Sequence, residues 1–174
     1  DVEGTVWSDA VERCLAENGS VFIPRMEEPV WLDRPIVLRS GNRLIAHPET
    51  EIRLAGAPGT CMVRNAAAAV LNRPVAADDS ADEDIVVEGG IWSDGRNDGR
   101  GRGGSLGAGA PPGSMGIFVF SGVRRIAVRN AVFRDCSAFA VQLGNAVDFV
   151  VEEIRFDETA DGIHVEGPAR HGIV

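Results

Sequence analysis

The sequence predicts an all-β chain wound as a solenoid, with parallel strands stacked rung on rung and one helix at the N-terminal end. Val and Ile together number 32 against 8 Leu, and branching at Cβ favours strands over helices. The β-forming runs are short and divided by Gly, Pro and Asn, with no helices between them, which leaves sandwiches, barrels and solenoids. The second half of the chain then repeats. Its period is in the low twenties, and a period of that length with several short strands per unit selects the solenoid.

The first element is a helix over 5–18. Val6, Ala10, Val11, Cys14 and Leu15 share a face at helical spacing, Thr5 or Ser8 is placed to cap the start, and Gly19 ends it. Such a helix has a task in a solenoid, whose open end exposes apolar core and unpaired strand edges. Strands follow at Val21 to Ile23, Val30 to Leu32, Pro35 to Leu38, Arg43 to Ala46 and Glu51 to Leu54, separated by Pro24, Pro29, Gly41-Asn42, Pro48 and Gly56.

Beyond these the repeat becomes explicit. The run Ile126 to Phe133 superposes on Phe149 to Phe156, and Ile173 and Val174 stand one further period beyond Val150 and Val151. Ile85 to Trp92 matches the same pattern across a longer gap, one period plus an insertion. A second strand repeats in step: Ile117 to Gly122 precedes Ala140 to Asn145 by one period, and Ile163-His164-Val165 follows after the same period or one residue less. Each unit bends just past its central valine, at Gly89, Asn130 and Glu153; Gly and Asn tolerate the left-handed backbone that turns a chain in one residue. The chain stops at Ile173-Val174, inside a repeating strand, so the expectation is a single β domain over 1–174 that forms the N-terminal part of a longer solenoid.

Composition narrows the function classes. The formal net charge is -9, all 17 basic residues are Arg, and Tyr is absent. A nucleic-acid partner would need a basic face working against this negative field, and none is expected. No apolar run approaches the roughly 18 to 20 residues that span a bilayer, so no membrane partner is expected either. Cys14, Cys61 and Cys136 are too far apart for a CxxC pair and read as buried small hydrophobes. The Gly-rich insertion over 93–113 lacks the Gly-Lys-Ser/Thr of a phosphate loop, so no nucleotide cofactor is expected. The acidic run Asp78, Asp79, Asp82, Glu83, Asp84 lacks an ordered ligand spacing and reads as a solvated loop, with no metal site expected.

Three stretches carry a family resemblance over nearly the whole chain. The helix followed by Asn18-Gly19-Ser20-Val21-Phe22-Ile23-Pro24 resembles the start of the right-handed parallel β-helix superfamily that includes pectin lyases and polygalacturonases. Val87-Glu88-Gly89-Gly90-Ile91-Trp92-Ser93-Asp94-Gly95 is similar to the I-x-G-G-x-W-D-G stretch of the polygalacturonase group, glycoside hydrolase family 28. Thr159-Ala160-Asp161-Gly162-Ile163 is similar to that group's N-T-D-G-I, with Thr and Ala where the group has Asn and Thr. The resemblance implies a single-stranded right-handed parallel β-helix, secreted to an extracellular or periplasmic compartment, acting on a polysaccharide that is expected to be anionic. It implies that Asp161 is one of three catalytic carboxylates, with an Asp-Asp pair about one rung later and a His and an Arg-x-Lys stretch farther on, all beyond Val174.

The chemistry asks for this arrangement in any case. Inverting glycoside hydrolysis needs an acid and a base on opposite faces of one bond, roughly 6.5 to 9.5 Å apart, and adjacent rungs place residues ~4.8 Å apart. Asp157, Glu158 and His164 surround Asp161 in sequence and are candidate substrate contacts; a solvated acidic turn with Arg134 stacked on Asp157 is the competing reading. His164 alternates with Ile163 and Val165 and is expected to project outward. Between Ser93 and Arg134 the segment carries seven Arg and two Asp, so Arg96, Arg100 and Arg102 are expected to overhang the cleft and grip carboxylates of the substrate. Trp7, Trp31 and Trp92 are candidates to stack on sugars, except that Trp92 aligns with Phe133 and Phe156 and is expected in the core. Alternatives on the same fold are a polysaccharide lyase and a non-catalytic glycan-binding adhesin or spike; a monomer is expected.

Overall fold

The structure is a computed structural model and describes residues 5–55, 61–66, 68, 82–95 and 116–174. It opens with helix α1 (Ser8–Asn18), which buries Val11 and Leu15 and ends at Gly19 in the left-handed conformation, φ 71°, whose N–H donates to the Leu15 carbonyl at 2.9 Å. The helix begins at Ser8, later than the sequence suggests, and no side chain caps it. The Ser8 hydroxyl accepts the Asp33 backbone N–H at 3.1 Å instead, so the expected cap ties the helix to the first rung. Arg34 adds to that tie by binding Asp9 and Glu12 of the helix.

Fourteen strands follow among the described residues: β1 (Ser20–Ile23), β2 (Val30–Leu32), β3 (Ile36–Leu38), β4 (Arg43–Ala46), β5 (Glu51–Leu54), β6 (Val63–Asn65), β7 (Asp82–Glu83), β8 (Val86–Glu88), β9 (Ile91–Ser93), β10 (Gly116–Arg124), β11 (Ala127–Arg129), β12 (Val132–Val147), β13 (Val150–Glu152) and β14 (Arg155–Glu166). β2, β4 and β5 have the bounds read from the sequence. Every pairing is parallel. One ladder runs β1-β4-β8-β11-β13. A second joins β2, β5, β9 and the first residues of β12 and β14, and a third joins β3, β6, β10 and the later residues of β12 and β14. The chain visits the ladders in the same order on each turn, giving a mostly-β architecture of parallel strands, nearly closed like a barrel, with one helix.

The registers are those of the repeat. Ala127 pairs with Val150 and with Val86, Phe118 pairs with Val141, and Val150 bridges to Ile173. The third ladder slips between Cys136 and Phe139, so that Cys136 faces Thr159 but Val141 faces Ile163. This irregularity is why the last unit fits either the full period or one residue less.

Left-handed backbone recurs at four corners of the turn. Gly89, Asn130 and Glu153 have φ of 77°, 53° and 55°, as the sequence reading places them. A second corner stacks Gly41, Asp84, Arg125, Asp148 and His171, a third holds Gly95, Asp135 and Glu158, and a fourth Gly122, Asn145 and Gly167, all with positive φ.

The core is a column of interior side chains from the three ladders. Trp92 is fully buried, as expected, and its indole N–H donates to the Gly89 carbonyl at 2.8 Å. Phe118 meets Trp92 and Phe133 edge to face at centroid distances of 4.7 and 4.9 Å, the geometry that ring quadrupoles favour. Cys61 and Cys136 are buried and Cys14 is half-buried, so the expectation of three core thiols holds for two; all three are free.

Of the acidic run, Asp78 and Asp79 lie outside the described residues, Glu83 and Asp84 are exposed as expected, and Asp82 departs from expectation. Asp82 is buried, not solvated, and its carboxylate accepts from Asn65 Nδ2 at 2.9 Å. Asn65 completes the node by donating to the Ser121 carbonyl and accepting the Ser121 N–H, each at 2.9 Å. Glu83 and Asp84 both bind Arg125.

Candidate functional site

Stacking turns residues far apart in sequence into columns on the outer surface. On the second ladder Trp31 pairs with Arg53 and Arg53 with Ser93; one strand on, Arg134 pairs with Asp157. These residues project away from a column in which Ile52 pairs with Trp92, Trp92 with Phe133 and Phe133 with Phe156. Along the outer column lies a cleft of about 450 Å³ lined by Trp31, Arg53, Asp94, Arg134 and Asp135, with Glu51 and Ser93 beside them. That volume is within the range of small-ligand sites, roughly 300 to 1,000 Å³.

Charge in the cleft is arranged in pairs. Arg53 lies with its guanidinium carbon 5.8 Å from the centre of the Trp31 ring and bonds Glu51 at 2.7 Å. Arg134 bonds Asp157 at 3.1 Å. Asp94 is buried and Asp135 half-buried at the third corner. Both carboxylates act on the neighbouring thiol: Cys136 is pushed up first by burial and then by the negative charges of Asp94 and Asp135. A half-buried indole beside carboxylates and forked guanidinium groups offers an apolar ring face with hydrogen-bonding groups around it, which is the chemistry of a sugar subsite.

Asp161 is on β14, farther along the strand than Asp157, exposed, and paired across the ladder with Phe139. Its Oδ1 accepts the Gly162 N–H at 2.8 Å. His164 stacks on Phe139 with centroids 4.5 Å apart and planes 9° from parallel, and its Nε2 is 3.6 Å from Glu166, which also accepts from Gln142 at 3.1 Å. Glu158 occupies the third corner at φ 54° and is exposed. The structure therefore places Asp157, Glu158, Asp161 and His164 on one strand, with Asp157 held by Arg134 as in the competing surface reading. Arg96, Arg100 and Arg102 lie outside the described residues, as does most of the insertion over 93–113.

Three of the other four arginines of the basic segment pair with carboxylates on neighbouring rungs. Arg125 binds Glu83 and Asp84, Arg129 is 3.5 Å from Glu152, and Arg134 binds Asp157. Arg125 holds the Asp84 carboxyl below its usual range chiefly through their hydrogen bond. The sequence reading offered Trp31 as a stacking ring but missed Arg53, Asp94 and Asp135, which the structure gathers around it. Writing the rungs under one another would have brought Trp31 over Arg53, which follows it by one period, but Ser93 joins the column only across a longer stretch of chain that the period does not predict.

No family model and no curated protein matches the sequence. The fold has solved counterparts. A candidate glycosyl hydrolase from Parabacteroides merdae superposes with a TM-score of 0.66 at 12% identity, over 97% of this chain and 86% of that one. PfbA, a surface protein and adhesin of Streptococcus pneumoniae, superposes in one structure with a TM-score of 0.57 at 17% identity, over 87% of this chain and 37% of that one. A second PfbA structure gives 0.55 at 20% identity, over 85% and 33%. The chain thus spans about a third of PfbA's length. At these identities the likeness concerns the fold. Among the described residues no group of three His, Cys, Asp or Glu is placed to hold a metal ion, and no helix is long and apolar enough to cross a membrane.

Proposed function

We propose that this chain is part of an extracellular, carbohydrate-active right-handed parallel β-helix of the pectin lyase-like kind, with the cleft between Trp31 and Asp135 as a sugar-binding site. The observation that carries the reading is the cleft itself: a half-buried Trp31 with Arg53, Asp94, Arg134 and Asp135 around one opening. The carboxylates of Asp94 and Asp135 would accept sugar hydroxyls, and the Trp31 ring would take a pyranose face.

In the parent protein the reaction is inverting hydrolysis of a polysaccharide. Asp161, exposed on the strand that continues from Asp157, would give a proton to the leaving oxygen, and a carboxylate on a further rung would activate water from the opposite face, roughly 6.5 to 9.5 Å away. Crowding those carboxylates raises the pKa of one of them and so supplies the acid. Acidity in the substrate would be met by Arg96, Arg100 and Arg102, since Arg53 and Arg134 already hold carboxylates.

Incubation with polygalacturonate, following both reducing ends and the absorbance of unsaturated products, separates the three chemistries. The parent protein is expected to release reducing ends without unsaturated product and to lose that activity on Asp161→Asn. Unsaturated product would assign a lyase, and no product from a parent that binds the polymer would assign an adhesin. The 174-residue chain is expected to bind oligosaccharide without cleaving it. Trp31→Ala is expected to weaken that binding roughly tenfold, the loss of one stacked ring.

A further inference from the structure

The face of Trp31 that a pyranose would take is already covered. Trp31 stands first in the outer column of the second ladder, where Val6 bridges to it on one side and Arg53 pairs with it on the other. The Arg53 guanidinium lies over the indole with its carbon 5.8 Å from the ring centre, inside the roughly 6 Å at which an aromatic face holds a cation. Two of its N–H groups fix it there: Nε and NH2 both reach Glu51 Oε1 at 2.7 Å.

This attachment differs from that of the other arginine in the cleft. Arg134 is tied to Asp157 across the ladder, so moving it would break a contact between rungs. Arg53 has Glu51 and the Trp31 ring as the partners of its guanidinium among the described residues. Glu51 is two residues back on the same strand, β5, so the pair crosslinks nothing. The Arg53 side chain is 43% exposed and has room to swing outward. A guanidinium and a sugar cannot occupy one side of one ring together. The cleft that binds is therefore the one in which Arg53 has left the indole, and the apparent affinity is reduced by the fraction of molecules in that state.

We propose, on the reading of this cleft as a sugar site, that Arg53 is a retractable cover on Trp31, held shut by Glu51, which a ligand must displace in order to stack. The cover also selects among ligands. A ring with a continuous face of C–H groups replaces the guanidinium on the indole, whereas a ligand that offers only hydroxyls leaves the cover shut.

The test has two arms. Fully methyl-esterified oligogalacturonate, which is neutral and keeps charge out of the comparison, is titrated by calorimetry into the 174-residue chain and its variants. Acrylamide quenching of Trp31, taken as the difference from the same protein carrying Trp31→Phe, reads the cover without any ligand. Arg53→Ala is expected to tighten binding roughly two- to fivefold, since no cation–π contact is then lost, and to raise the quenching of Trp31. Glu51→Gln is expected to act in the same direction and less strongly, because the guanidinium loses its latch but remains. With Trp31→Ala already in place, Arg53→Ala is expected to leave binding unchanged. Weaker binding by either single variant would make that side chain a sugar ligand and overturn the cover, as would unchanged binding or unchanged quenching in Arg53→Ala. If the parent chain does not bind the oligosaccharide at all, the sugar reading of the cleft falls, and the quenching alone decides whether Arg53 covers Trp31.

Discussion

Gly89 and Glu153 occupy the same corner on different rungs, with φ of 77° and 55°, and they tolerate substitution differently. A Cβ on Gly89 would stand 2.0 Å from the Ala46 carbonyl oxygen, a backbone atom that cannot rotate away. Gly89→Ala is therefore expected to cost more than about 2 kcal/mol, the left-handed penalty plus the clash, measured by urea unfolding. Glu153 is exposed and already bears the conformational penalty that a Cβ incurs there. Glu153→Gly relieves it and is expected to be neutral to stabilising, by up to about 1 kcal/mol after the added chain entropy. A clear loss of stability in Glu153→Gly would mean that the side chain holds this corner through contacts of its own.

The elements differ in how well the sequence announces them. The strands were legible because each rung asks the same of its residues: an inward branched or aromatic side chain at fixed offsets, which gave the bounds of β2, β4 and β5 and the register of β11 on β13. The second corner was illegible because Gly41, Asp84, Arg125, Asp148 and His171 share a backbone conformation and no chemistry. The Trp31 cleft was hidden for a related reason, since a binding column uses different side chains on each rung while a core column repeats similar ones. Asp161, by contrast, was visible as a motif, yet its surroundings on β14 depend on Phe139, Arg134 and Glu166, which no motif contains. The Asn65 node, too, is a matter of topology: it ties β6, β7 and β10 through Asp82 and Ser121. Asn65→Ala removes one hydrogen bond from the buried Asp82 carboxylate and one from each backbone group of Ser121, so a loss of about 2 to 4 kcal/mol is expected by urea unfolding. A loss below about 1 kcal/mol, less than one buried polar group left unpaired costs, would show that other partners hold these strands in register.

For the molecule as a whole, an unusual composition isolates one effect of pH. The chain has no Lys and no Tyr, and Arg stays protonated to beyond about pH 12. Between about pH 9 and 12 the side chains that titrate are therefore the thiols. Burial pushes the Cys61 thiol up to about 12 and raises that of Cys136 as well, with Asp94 and Asp135 adding to it. In the unfolded chain both thiols ionise at about pH 8.5. Below that pH both states hold the protons and the thiols leave stability unchanged with pH. Above it the unfolded state releases them first, so stability falls as pH rises toward the folded values. The slope is about 1.4 kcal/mol per pH unit for each buried thiol. Unfolding free energies measured from about pH 7 to 11 are expected to stay level to about pH 8.5 and then fall with roughly twice that slope. Cys61→Ala and Cys136→Ala will each lower stability at neutral pH by leaving a small cavity, but each should also halve the alkaline slope, and the double variant should nearly flatten it. A double variant that keeps the full slope would show that the protons lost above about pH 8.5 come from groups other than the two thiols of the core, since the carboxylates are already ionised at neutral pH and contribute no slope there.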